Sequence, residues 1–185
     1  MAKCSEKFET GMFAVLKLSN EEVERICSLH SDVYPVNYNC PGQVTVAGLK
    51  TALDAAKADF TAAGAKVIPL AVSGGFHSPF MDEAAEKYRE FLAGRDVGLI
   101  EIPVWANCNA EPYGDDVWSL METQINHPVR FEQIIRNMAN TGVDTFIEVG
   151  PGQTLSKFVK KILPDATTLH AETPEEIAAV KEVLA

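Results

Sequence analysis

The segment Val72-Ser73-Gly74-Gly75-Phe76-His77-Ser78-Pro79 sets a histidine in a loop of small residues. The hydrophobic run Val67 to Val72 precedes the loop and a helical pattern follows from Pro79. Loops where a strand hands over to a helix commonly mount reactive groups, because the flanking elements are rigid while the loop stays accessible. Ser78 has the side chain of an N-cap, Pro79 suits the first helical position, and Asp82 and Glu83 fall in or near the first turn. Together these residues predict a helix over 79–93. The positive end of that helix disfavours imidazolium, leaving a neutral ring able to accept a proton near neutral pH, as a general base must. A loop histidine that only packs against its neighbours fits the same local pattern.

A histidine base ordinarily activates a serine or a cysteine, so a nucleophile should be sought beside it. The G-x-S-x-G elbow, which holds a serine on a tight strand-to-helix turn, is absent from these 185 residues. Ser73 precedes a glycine pair but has no glycine two residues before it. Nothing local singles out Cys40 or Cys108 as a thiolate nucleophile. Gly150-Pro151-Gly152 follows the predicted strand Thr145–Val149 and opens a helix, which leaves backbone N–H groups to meet an anion or simply to make a structural turn. Asn37, Asn39 and Gln43 stand around Cys40-Pro41-Gly42, where their amides could bind a polar substrate or satisfy the turn. Gln124 and Asn126 end a helix before Pro128, and a carbonyl without an intrahelical partner there could orient a histidine ring. Lys157, Lys160 and Lys161 crowd one short helix, as a solvated C-terminal turn often does.

Composition bounds the rest. The chain is 46% hydrophobic, ample for a core, and carries a formal net charge of -10, which argues against general nucleic-acid binding. No apolar run reaches the roughly 18 residues of a membrane span, and Met1 to Thr10 is polar and mixed in charge, so neither a membrane segment nor a signal peptide is expected. The cytoplasm is the expected compartment. Cys4, Cys27, Cys40 and Cys108 form no C-x-x-C pair, and His30, His77, His127 and His170 lack ligand spacing, so reduced thiols and no metal are expected.

Residues 12–72 read as strand, helix, strand, strand, helix, strand. The signals are Met12 to Leu18, a helix capped by Asn20, Val33 to Asn39, Gln43 to Leu49, a helix bearing Leu53, Ala56 and Phe60, and Val67 to Val72. This βαββαβ order is the ferredoxin-like pattern, so a subdomain over 11–72 is expected. Beyond it, helices are predicted over 79–93, 116–126, 131–141, 154–163 and 174–184, with strands only at Ile102–Asn107 and Thr145–Val149. Two strands rarely make an independent core, so 73–185 reads as part of a larger α/β domain.

Four strings, Val36 to Val44, Val72 to Met81, Gln124 to Phe131 and Val143 to Gly152, closely resemble the malonyl-CoA:acyl carrier protein transacylase family, in order and with family-like spacing from about Gly11 to Ile162. The resemblance implies a large α/β-hydrolase-like acyltransferase domain with an inserted ferredoxin-like subdomain. It also implies a ping-pong transfer of malonyl from coenzyme A, through a serine ester, to the phosphopantetheine thiol of acyl carrier protein, with no cofactor beyond malonyl-CoA as substrate. Under it, His77 is the catalytic histidine and the Gln124 backbone carbonyl orients its ring, in place of the carboxylate of other triads. Asn39 and Gln43, with Asn37, are amides near the acyl and pantetheine pocket, Phe76 favours malonyl over bulkier units, and Lys160 and Lys161 meet the acidic carrier.

The family's serine elbow, its oxyanion-hole glutamine and the arginine for the malonyl carboxylate all match upstream of Met1. None of Arg25, Arg89, Arg95, Arg130 and Arg136 takes that arginine's place. The expectation is a C-terminal portion, through truncation, a split gene or a mis-assigned start, inactive without the missing N-terminal half. Its competitors are a non-catalytic carrier-protein-binding or assembly module of a split enzyme, and an unrelated hydrolase using Cys40 or Cys108.

Overall fold

The computed structural model describes residues 1–72 and 74–184; Ser73, weighed above against the elbow pattern, lies outside them. The chain divides into two units, Met1–Phe131 and Glu132–Ala185. In the first, α1 (Ala2–Ser5) leads into β1 (Thr10–Leu16), α2 (Asn20–Ser28), β2 (Val33–Cys40), β3 (Gln43–Leu49), α3 (Lys50–Ala62) and β4 (Lys66–Pro69). A 3-10 turn (Pro79–Met81), α4 (Asp82–Leu92) and α5 (Val117–Thr123) follow. The second unit holds most of α6 (Phe131–Asn140), then β5 (Thr145–Val149), α7 (Thr154–Ile162), β6 (Thr167–Ala171) and α8 (Pro174–Leu184).

The four strands of the first unit form one sheet in the order β2-β3-β1-β4, every neighbouring pair antiparallel. Strand alternation gives its two faces separate tasks. Phe13 and Val15 of β1, with Val44 and Val46 of β3, point to one side and pack against Val23 and Ile26 of α2 and Leu53, Ala56 and Phe60 of α3. Phe13 meets Phe60 edge-on, ring centroids 5.6 Å apart. Met12 and Ala47, directly opposite each other in the ladder, join Val36 on the other side, where Tyr34 and Phe76 cover them. Core and site therefore share β1, one residue out of phase. Pro41-Gly42 closes the β2–β3 hairpin with Gly42 at φ +73°, a conformation open to glycine at little cost.

Several boundaries differ from expectation. The α2 cap is Ser19, whose hydroxyl accepts from the Glu22 N–H at 3.3 Å, so Asn20 is helical. Ile102–Asn107 is not a strand: its only ladder contact is an isolated antiparallel bridge from Trp105 to Pro112, and Ile102 is 78% exposed. A strand is a pairing as much as a propensity, and no neighbouring strand among the described residues takes this run. The partner of β5 is instead β6, parallel to it from Thr145 opposite Thr167, with α7 as the crossover. Thr167–Ala171 was not expected to be extended, since its mixed polar sequence carries little periodic signal. Among the described residues no helix is long and apolar enough to cross a membrane, and no group of three His, Cys, Asp or Glu is placed to hold a metal ion.

Candidate active site

The loop that carries His77 is bound to the sheet by a buried hydrogen bond across 65 residues of sequence, from the Gly75 N–H to Thr10 Oγ1 at 2.9 Å. Ser78 stands at the N-terminus of the 3-10 turn, but its hydroxyl does not cap it. It turns back into the loop and donates to the Gly75 carbonyl at 2.5 Å. The glycine pair is needed for space: a Cβ on Gly74 would stand 2.5 Å from Ser5 Cβ, and one on Gly75 would stand 3.0 Å from the Phe80 ring. Between these fixed points His77 is held at φ +59°, a left-handed conformation costing a non-glycine residue about 1–3 kcal/mol and met most often at functional sites.

The Gln124 carbonyl lies 2.9 Å from His77 Nδ1. A carbonyl only accepts, so Nδ1 carries the proton and donates it, which leaves the Nε2 lone pair of the neutral ring as the proton acceptor. Gln124 is the C-cap of α5, where carbonyls run out of intrahelical donors, so the helix end itself supplies the acceptor. Its side chain points elsewhere, accepting from Asn107 Nδ2 and the Tyr113 hydroxyl, each at 3.3 Å.

His77 and Phe76 open onto a cleft of about 440 Å³ together with Asn37 and Asn39. Met1, Met12, Thr45, Leu70 and Val72 complete its wall, so the lining combines apolar side chains with amides and a hydroxyl. Two register slips in β2, between Pro35 and Asn37 and between Tyr38 and Cys40, aim the two asparagines. Val129 pins this bulged edge: its N–H donates to the Val36 carbonyl at 2.8 Å and its carbonyl accepts from the Tyr38 N–H at 2.9 Å. Asn39 Nδ2 donates to Thr45 Oγ1 at 3.1 Å. Gln43, opposite Cys40 at the start of β3, is not part of this wall. Strict alternation from Phe13 and Val15 would have pointed to Met12 as a residue of the opposite face; Thr10, Asn107 and Tyr113 left no such signal.

The second unit explains its Gly-Pro-Gly turn internally. Glu148 accepts from the Leu155 and Ser156 N–H groups at 3.1 and 2.8 Å, and Glu172 accepts from the Gly152 N–H at 3.2 Å. Three of the N–H groups at this helix start are thus engaged by the unit's own carboxylates, which favours a structural role for the turn. His170 braces it, with Nε2 2.8 Å from the Gly150 carbonyl and Nδ1 3.0 Å from Glu176. The Glu176 carboxylate raises the His170 pKa, and His170 in turn holds that carboxyl down at about 2. Lys160 Nζ donates to the Ala166 and Pro164 carbonyls at 2.6 and 3.4 Å, closing the end of α7, while Lys161 is exposed. Cys27, Cys40 and Cys108 are poor nucleophiles: burial pushes the Cys27 thiol up to about 12 and raises that of Cys108, and Cys40 is fully buried.

The acyl transferase domain model matches residues 2–178. The chain belongs to that family. The malonyl CoA-acyl carrier protein transacylase of Bacillus subtilis is 36% identical over 183 residues, covering 95% of this acyl transferase chain and 58% of the relative. The crystal structure of a malonyl CoA-acyl carrier protein transacylase from Clostridium perfringens superposes with a TM-score of 0.91 at 35% identity, over 98% of this chain and 62% of the other. A malonyl-transacylase solved in complex with its type II polyketide acyl-carrier protein gives 0.91 at 30% identity, over 97% and 62%. This acyl transferase chain therefore spans about 60% of the length of these relatives.

Proposed function

We propose that this chain carries the histidine, the acyl cleft and the carrier-facing helix of a malonyltransferase that moves malonyl from coenzyme A to acyl carrier protein. The observation that carries the reading is the 2.9 Å approach of His77 Nδ1 to the Gln124 carbonyl at the mouth of a cleft shared with Phe76, Asn37 and Asn39. His77 Nε2 takes the proton of a serine hydroxyl as the serine oxygen bonds the malonyl carbonyl carbon. The tetrahedral intermediate then expels the coenzyme A thiolate, which regains that proton from the imidazolium. The carrier's phosphopantetheine thiol next gives its proton to the same nitrogen and attacks the ester carbonyl, and the tetrahedral intermediate expels the serine oxygen, which takes that proton back from the imidazolium. Asn37 and Asn39 meet the acyl and pantetheine amides from the cleft wall and Gln43 meets the pantetheine from outside that wall, Phe76 limits the acyl group to malonyl, and Lys160 and Lys161 meet the acidic carrier.

In this reading residues 11–72 form a ferredoxin-like subdomain inserted in an α/β-hydrolase-like domain to which 73–185 belong, and the protein works in the cytoplasm. The sheet order β2-β3-β1-β4 supports the first assignment. The serine has no counterpart in an elbow within these 185 residues, so the chain alone does not form the acyl-enzyme.

The test incubates the chain with malonyl-CoA, reads its intact mass, and then assays transfer to acyl carrier protein after adding the segment of a relative's domain that this chain does not match. No adduct on the chain alone is expected, followed by transfer in the mixture that falls at least about 10²-fold on His77→Ala. Transfer unaffected by that substitution would overturn the assignment. Carrier binding with no transfer in any combination would establish the non-catalytic module instead.

A further inference from the structure

We infer that the loop 104–113 is a clamp on Gln124, with Asn107 and Tyr113 as positioning residues that set the proton-accepting form of His77. The catalytic consequence rests on the reading above; the ring's proton position does not.

The argument begins with a weakness in α5. It is seven residues long and fully buries none of them, so its own cooperativity does little to fix the direction of the carbonyl at its C-cap. Yet that carbonyl, on Gln124, is the one His77 Nδ1 addresses. A free imidazole in water exchanges its proton between Nδ1 and Nε2, and only the Nδ1–H form leaves Nε2 as acceptor. Whatever holds Gln124 therefore selects the useful tautomer.

The loop 104–113 has the build for this. It is a self-closed turn: the Ala106 N–H donates to the Glu111 carbonyl at 2.8 Å, the Tyr113 N–H to the Val104 carbonyl at 2.8 Å, and the Ala110 N–H to the Ala106 carbonyl at 3.1 Å. Ala106 and Ala110 are fully buried inside it, and Ala110 takes φ +61°. Arg130 ties its far side down, donating from its backbone N–H to the Asn107 carbonyl and from Nε to the Cys108 carbonyl, each at 2.9 Å. The rigid turn presents two donors, Asn107 Nδ2 and the Tyr113 hydroxyl, to one acceptor, Gln124 Oε1, both at 3.3 Å. Two long bonds converging on one oxygen restrain its direction more than either alone. Asn126 Nδ2, bonded to Asp82 Oδ1 at 2.8 Å, holds the next turn to the start of α4. A run read from sequence as a strand, and found unpaired, thus has a task.

The experiment reads the His77 tautomer directly, from long-range proton–nitrogen correlation spectra of the 185-residue chain at about pH 8, where an ordinary histidine is neutral. In the parent the Nδ1–H form should dominate. In the Asn107→Leu/Tyr113→Phe double variant the ratio of Nδ1–H to Nε2–H should fall about five- to tenfold, the worth of one to two net hydrogen bonds. Gln124→Met keeps the carbonyl and deletes the handle; it should reproduce that fall, and combining all three should add nothing. Tyr113→Phe alone removes one oxygen from an intact ring and should lower the ratio about two- to fivefold, which keeps the test decisive if the double variant fails to fold. An unchanged ratio in a folded Tyr113→Phe or Gln124→Met, or additive falls on combining them, would overturn the clamp. Loss of transfer on His77→Ala without any tautomer response would leave the functional reading standing and the clamp refuted.

Discussion

Thr10→Val is expected to destabilise the first unit and to loosen the His77 loop, because one hydroxyl of β1 is the acceptor that holds that loop. Thr10 is 3% exposed, Gly75 is buried, and the bond between Oγ1 and the Gly75 N–H is 2.9 Å long. Valine keeps the shape and removes the oxygen, so a buried N–H is left without its acceptor, at a cost of about 1–3 kcal/mol. Thr10→Ser does the reverse: it keeps the oxygen and removes one methyl group, worth about 0.8 kcal/mol. At roughly 2–4 °C per kcal/mol for a chain of this size, valine should lower the melting temperature by about 2–12 °C and serine by no more than about 3 °C. The local consequence is sharper than the global one. With Gly75 released, the left-handed His77 at φ +59° loses one of the contacts that over-determine it. Urea unfolding supplies the global comparison, and amide exchange at Gly75 the local one, with the valine variant exchanging faster under native conditions. A valine variant as stable as the serine variant, or a Gly75 amide exchanging at the parental rate, would refute the reasoning.

Phe60→Ala, at a fully buried position packed edge-on against Phe13, should cost about 3–5 kcal/mol, read by urea unfolding of the first unit. His170→Gln tests the brace on the Gly-Pro-Gly turn through pH. The raised pKa of His170 places its stabilisation fully below about pH 6.5, to be lost as pH rises through the folded value. The lowered pKa of Glu176 places its share above about pH 4.5, to be lost as pH falls toward about 2. The melting temperature lost on His170→Gln should therefore be larger at about pH 5.5 than at about pH 8.5, and equal losses would contradict the assignment. Lys160→Glu/Lys161→Glu in an assembled transferase should raise the apparent KM for the carrier and leave that for malonyl-CoA within about twofold. Lys160→Glu alone should also lower the melting temperature, since two carbonyls at the end of α7 lose their donor.

Local signals were enough to locate most elements of the first sheet, because each carries its own period and punctuation. The helical stripe of Val23 and Ile26 and that of Leu53, Ala56 and Phe60 face one core, and Pro41-Gly42 closes the hairpin between β2 and β3. Strand–loop–helix order likewise placed His77 between a strand and a helix start, and a helix end before Pro128 marked Gln124 as a source of a partnerless carbonyl. What sequence periodicity carries is a preference for a face, and it fails where an element exists only through a neighbour. Ile102–Asn107 has a strand's composition and, among the described residues, no strand to pair with; Thr167–Ala171 has little of that composition and becomes a strand because β5 and the α7 crossover deliver it to an edge. Hydrogen bonds between residues distant in sequence are equally invisible before folding. Thr10 with Gly75 and Asn107 with Gln124 show no spacing rule, since a single hydroxyl or amide fits any turn or strand. Tertiary structure also decided how the loop sits: Thr10 and Phe80 crowd Gly75, and the Ser78 hydroxyl donates to the Gly75 carbonyl rather than capping the helix it precedes. The residue types able to do chemistry were thus written locally, while the ring's protonated nitrogen, the walls of its cleft and the strain at its backbone follow from contacts that only the folded chain makes.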